Sequence, residues 1–301
     1  MRFSLQLPFV MFLASTISLS HALAPAAGAP AQDVTEAAAP ARRQPANVVG
    51  DLAIDGYDPV SYFPEGGGAP REGRRQLTAA HRGITYRFTS EANRALFRSL
   101  PERYEPAYGG WCAWAMAKGK LVEVDPESYL IENGQLLLFY DGFFNDTRKK
   151  WLEAGGLEVG PRADKEWTKR SGETRRALWH YNLDRGLALS GFDPVSYRAD
   201  RGPVRGKRAI AVVHEGVTYD FSSEENRVSF VANPAAYEPR FGGWCATAMA
   251  AGRKVPADAG QYLLEDGTLF LFANEGARKA WRERGESLRA DADRRWAALQ
   301  R

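Results

Sequence analysis

The sulfur of this chain is concentrated in one pattern that occurs twice. Cys112-Ala113-Trp114-Ala115-Met116 and Cys245-Ala246-Thr247-Ala248-Met249 hold both cysteines and two of the four methionines, and Met1 and Met11 lie near the N-terminus. Each Cys follows a Gly-Gly pair, Gly109-Gly110-Trp111 or Gly242-Gly243-Trp244. If an Ala-rich helix starts there, its unpaired N–H groups and dipole favour a thiolate, so Cys112 and Cys245 are candidate reactive thiols. Cys and Met four residues apart share a helix face. Thiolate plus thioether is a soft ligand set suited to a copper-like ion, with Cys112, Met116 and His81, or Cys245, Met249 and His214, as candidate metal ligands. Neither copy has the second Cys of a Cys-x-x-Cys motif, so disulfide exchange lacks its resolving thiol. Two other readings stand beside these. Cys and Met are common core residues, and an exported chain can join its two cysteines in a bridge.

The remaining polar residues are weaker candidates. His81 and His214 precede the glycines of predicted turns, where a backbone hydrogen bond is the commoner role, and His180 has no counterpart in the first copy. Asp58 and Asp193 each precede Pro and read as turn formers without a second acid at fixed spacing. Tyr108, Phe241, Trp111 and Trp244 surround the Gly-Gly turns and can line a ligand pocket or fill a core. No phosphate loop, metalloprotease helix or nucleophile elbow is present.

The elements that position these residues also repeat. Gly56-Tyr57-Asp58-Pro59-Val60-Ser61-Tyr62 matches Gly191-Phe192-Asp193-Pro194-Val195-Ser196-Tyr197, and His81 to Phe88 matches His214 to Phe221. Tyr129-Leu130-Ile131-Glu132-Asn133-Gly134 matches Tyr262-Leu263-Leu264-Glu265-Asp266-Gly267, and the register then slips so that Trp151 meets Trp281. Alternation over Ile84–Phe88 predicts a hairpin arm, and Ser90 an N-cap for a helix ending before Pro101. Asn133-Gly134 predicts a tight hairpin, and Lys149–Trp151 a helix followed by a segment reaching Trp167. The fold class is therefore α+β, two tandem copies of a small domain with short antiparallel hairpins and short helices.

With these motifs assembled, the chain resembles exported proteins of the YHS-domain group, including YHS domain-containing (seleno)proteins. The likeness rests on Gly56–Phe63, on Tyr86–Arg94 with Phe97, Pro101 and Tyr104, and on Tyr108–Ala113, and it extends to the second copy. The resemblance implies redox or soft-metal chemistry at Cys112 and Cys245, because selenocysteine can occupy that position in the family. One departure matters. Metal-associated relatives carry Phe-Cys-Ser-x-x-Cys after the strand, whereas this chain has Phe88-Thr89-Ser90-Glu91-Ala92-Asn93 and Phe221-Ser222-Ser223-Glu224-Glu225-Asn226. A zinc or copper site of that design is ruled out.

Composition bounds the rest. With 301 residues, 44% hydrophobic and 26% charged, the chain is long enough for two domains, and a net charge of +3 gives no reason to expect nucleic acid. Residues 1–22 read as a signal peptide: Arg2, an apolar stretch interrupted by Pro8, then Ser20 and Ala22. An exported protein, periplasmic or secreted, with no membrane span after signal removal is expected. An Ala/Pro-rich disordered tether follows over 23–46, then domain one over 47–167, a linker over 168–181 and domain two over 182–297. Three functional readings follow: a redox-linked module at Cys112 and Cys245, capture of a small ligand or soft metal ion, and a structural module that binds a protein partner with its Cys buried.

Overall fold

Four hairpins share one local design. Arg82-Gly83, Asn133-Gly134, Glu215-Gly216 and Asp266-Gly267 all have positive φ at both turn positions, the conformation that matches the twist of the flanking strands. In chain order the elements are β1 (Val48–Val49), β2 (Leu52–Ala53), β3 (Arg74–His81), β4 (Ile84–Phe88), α1 (Glu91–Ser99), α2 (Pro101–Tyr104), α3 (Ala113–Met116), β5 (Asp125–Glu132) and β6 (Gln135–Phe139). They continue with β7 (Asp141–Gly142), β8 (Asn145–Asp146), α4 (Thr147–Ala154) and α5 (Gly156–Ser171). The series then recurs as β9 (Lys207–His214), β10 (Val217–Phe221), α6 (Glu224–Ala232), α7 (Pro234–Tyr237), α8 (Ala246–Ala250), β11 (Asp258–Glu265), β12 (Thr268–Phe272) and α9 (Glu275–Leu299). This computed structural model describes residues 45–173, 178–199 and 202–300. The expected signal peptide, and the expected tether up to residue 44, lie outside the described residues.

The mixed α+β class and its short antiparallel hairpins are as expected. β3 pairs with β4, β5 with β6, β9 with β10 and β11 with β12, each pair carrying a bulge. Along β4, Ile84, Tyr86 and Phe88 point inward as the alternation predicts. Ser90 and Ser223 cap α1 and α6 by accepting from the amides of Asn93 and Asn226. Leu100 and Asn233 end those helices, and Pro101 and Pro234 open the next ones at the position where a missing N–H costs nothing. Each copy buries two apolar clusters. One lies between its long hairpin and α1 or α6, and the other surrounds α3 or α8, with Trp151 and Trp167, or Trp281, at its centre.

The segment expected as a linker is anchored on both sides. Leu178 lies in the second copy's core, and the next residue, Trp179, in the first copy's. The Trp179 ring lies flat on α5 because position 160 is glycine; a Cβ there would stand 2.0 Å from the indole. Its Nε1–H donates to Asp164 Oδ2, and the Tyr108 hydroxyl donates to Asp164 Oδ1. Among the described residues no helix is long and apolar enough to cross a membrane.

Candidate functional site

The thiols come first because the sequence points to them. Cys112 is the N-cap of α3, but that helix is only four residues long. Its backbone N–H already donates to Val122 O at 3.0 Å. The side chain is 0% exposed, with Sγ 3.3 Å from Thr147 Oγ1, and Thr147 in turn donates to Tyr140 O. With the threonine proton given to that carbonyl, Thr147 Oγ1 is free to accept from the thiol. Cys245 is 2% exposed, donates its amide to Val255 O, and packs with Phe241, Met249 and Trp281.

These facts correct two expectations. An exposed thiolate held by a helix dipole is not what the fold provides: α3 and α8 are one turn long and both thiols are sealed from solvent. A bridge between the copies is not formed either, since both cysteines are free and buried, each in its own copy. Met116 and Met249 are both buried, and Met249 shares one apolar cluster with Cys245. The histidine arm of the ligand sets is engaged elsewhere. His81 Nε2 lies 3.0 Å from Glu105 Oε1, with the ring edge-on to Phe97, and His214 stands edge-on to Phe230. Among the described residues no cluster of three or more His, Cys, Asp or Glu side chains is arranged to hold a metal ion.

Asp58 and Asp193 do more than form turns. Both are wholly buried. Asp58 Oδ1 accepts from Val60 N, and Oδ2 accepts from Thr89 N, Thr89 Oγ1 and Asn93 Nδ2 at 2.9, 2.7 and 2.6 Å. Asp193 repeats this with Val195, Ser222 and Asn226. Thr89 and Asn93 are thus donors to a buried carboxylate. The signal was visible in the sequence as a matched trio, Asp58 with Thr89 and Asn93, and Asp193 with Ser222 and Asn226. What sequence could not show was that the three converge.

The Gly-Gly turns are built on left-handed backbone. Tyr108 and Gly109, and Phe241 and Gly242, take left-handed conformations in succession, a strained state for an aromatic residue. Gly109 is required there because a Cβ would meet Pro45 O and the Trp167 ring at 2.8 Å. In the second copy this turn borders a cleft of about 280 Å3 lined by Tyr181, Trp296, Ala235, Glu238 and Thr268, with Tyr219 and Phe241 almost wholly buried along it. Tyr219 donates its hydroxyl to Glu238 Oε1, and Arg240 is tied outward to Asp293. Trp244, also a candidate for the wall, instead donates its indole N–H to His180 O.

The matching rim of the first copy is covered by the second. Gly134 meets Gly186 so closely that a Cβ on it would stand 2.4 Å from the Gly186 Cα, and Arg103 Nη1 reaches Thr218 Oγ1 at 3.5 Å. Arg103 and Glu105 are each 7% exposed, whereas Ala236 and Glu238, their counterparts, are half-exposed. Thr218 and Asp220 of β10 are buried, while Thr85 and Arg87 of β4 are not. Among the described residues, the cleft beside Phe241-Gly242-Gly243 stays open. Comparison with protein-family models, with curated proteins and with solved structures returns no match.

Proposed function

We propose that this chain is an exported accessory module of the YHS type that captures a small ligand, and that the capture site is the cleft of the second copy. The open cleft beside Phe241-Gly242-Gly243, flanked by Tyr181 and Trp296, carries this reading. Its volume of about 280 Å3 falls just below the usual range for ligand sites, about 300–1,000 Å3, so it suits a very small molecule held between Tyr181 and Trp296 with Glu238 and Thr268 as polar partners. A small planar molecule with one hydrogen-bonding group fits that chemistry. In this account the first copy is scaffold, and Cys112 and Cys245 are core residues. Redox and soft-metal roles are less favoured, because each needs a sulfur that solvent or an ion can reach, and both sulfurs are sealed.

The test is a panel of small aromatic probes, benzoate, phenethylamine and indole, titrated against the full chain and read by thermal shift. Ala235→Trp supplies the control, since Ala235 is exposed and lines the cleft. A saturable shift for at least one probe that Ala235→Trp abolishes supports the reading. No shift with any probe, or a shift indifferent to Ala235→Trp, rejects it.

A further inference from the structure

The Gly-Gly-Trp turn is braced in the same way in both copies. Asn47 and Asn182 donate their backbone and side-chain amides to the carbonyls of the two glycines. Trp111 and Trp244 donate their indole N–H groups to the carbonyls of Pro45 and His180. Cys112 and Cys245 donate their amides to Val122 and Val255. Positions 45 and 121 of the first copy therefore match positions 180 and 254 of the second. The first copy has Pro45 and Leu121 there, and the second has His180 and Lys254. The brace closes on a pair without titratable groups, so the two nitrogen bases are not needed to build it.

Those bases are held together. Lys254 Nζ lies 2.9 Å from His180 Nδ1, and both residues are half-buried. They share one proton across that contact, and a second would set two cations side by side. Among the described residues no carboxylate pairs with Lys254, whereas Lys149, Lys169 and Lys279 pair with Glu153, Glu166 and Glu283. Burial lowers the pKa of Lys254. A lysine desolvated beside a base and without a counter-charge is the form in which this side chain acts as a nucleophile.

We propose that Lys254 is a carbonyl-capturing amine that forms a Schiff base with a small aldehyde, with His180 as its proton carrier. The neutral Nζ adds to the aldehyde carbon as the C=O π bond opens. Both protons of the amine end on the carbonyl oxygen, carried across by His180 Nδ1, and that oxygen leaves as water when the C=N bond forms. Nothing is oxidised or reduced. The choice of an aldehyde follows from burial: a half-covered amine is reached by an unhindered carbonyl and not by a bulky one. The Gly243-Trp244-Cys245 stretch fixes both partners, holding His180 through the indole of Trp244 and the neighbour of Lys254, Val255, through the amide of Cys245. This inference is independent of the cleft.

Reductive labelling of the full chain with limiting acetaldehyde and cyanoborohydride at pH 7, followed by peptide mapping, tests it. Each unit by which an amine pKa falls gives about tenfold more free base at neutral pH. Lys254 should therefore label about tenfold or more faster than Lys149 and Lys279, although those two are exposed. The comparison is internal to the wild type and needs no variant. His180→Phe should slow labelling of Lys254 at least about tenfold and leave Lys149 unchanged, with a melting curve to show that the variant is folded. A wild type in which Lys254 labels no faster than Lys149 overturns the proposal. So does a folded His180→Phe variant in which Lys254 keeps its full rate.

Discussion

Asp58 converts a loop into a fixed wall. Its Oδ2 gathers three donors, so removing one leaves a buried carboxylate short of a charge-assisted bond, worth about 1.5–3 kcal/mol. Asn93→Leu should therefore destabilise by that amount, and Asn226→Leu similarly, as read from urea midpoints at unchanged slope. His180 has a different use. Its Nδ1 accepts from Lys254 Nζ at 2.9 Å, and burial, followed by the Lys254 charge, holds its pKa below the ordinary 6.5. A histidine depressed in the folded state contributes stability above pH 6.5, and that contribution is lost as pH falls through the folded value. Lys254→Met removes the second cause, so the His180 ring resonances should then titrate nearer to 6.5 than in the wild type. At this scale the sequence was only partly legible. Residue types in matched positions picked out the thiols, the aspartates and the Gly-Gly turn, but the burial of Cys112 depends on Thr147, thirty-five positions away along the chain.

Elements were the most legible level, because their causes are local. Alternation over Ile84–Phe88, Ser90 before Glu91 and Asn133-Gly134 each found the structure they implied. What remained hidden depends on packing between distant segments. Nothing around Trp179 identifies it as part of the first copy's core, since its seat is a glycine on α5. Gly160→Ala sets two effects against each other. Alanine favours a helix over glycine by about 1 kcal/mol, yet its Cβ would meet the indole at 2.0 Å, and overpacking of that kind costs about 1–3 kcal/mol. The clash is with a ring pinned to the same helix by its bond to Asp164, so the variant should be less stable than the wild type in chemical denaturation. The slip in repeat register between Gly134 and Trp151 was also visible in the sequence. Its content, a hairpin tipped with two exposed phenylalanines, was not.

Across the whole molecule, two like copies have become unlike through their contact with each other. Gly134 and Gly267 occupy equivalent turns at φ +74° and +75°, but Gly134 abuts Gly186 while Gly267 has open space around it. Gly267→Ala should cost only the strain of a left-handed alanine, about 1–2 kcal/mol. Gly134→Ala should cost more and should divide a single calorimetric transition into two, because it pries the copies apart at their junction. Equal effects would mean that the junction contributes little.

The central claim is that the sulfur atoms are structural and that the open chemistry of this protein lies elsewhere. Native alkylation followed by intact mass tests it most directly. The account predicts no label on Cys112 or Cys245 in the folded protein at neutral pH, and two labels after unfolding without added reductant. Rapid labelling of either thiol in the folded protein would contradict it and return the active role to the cysteines.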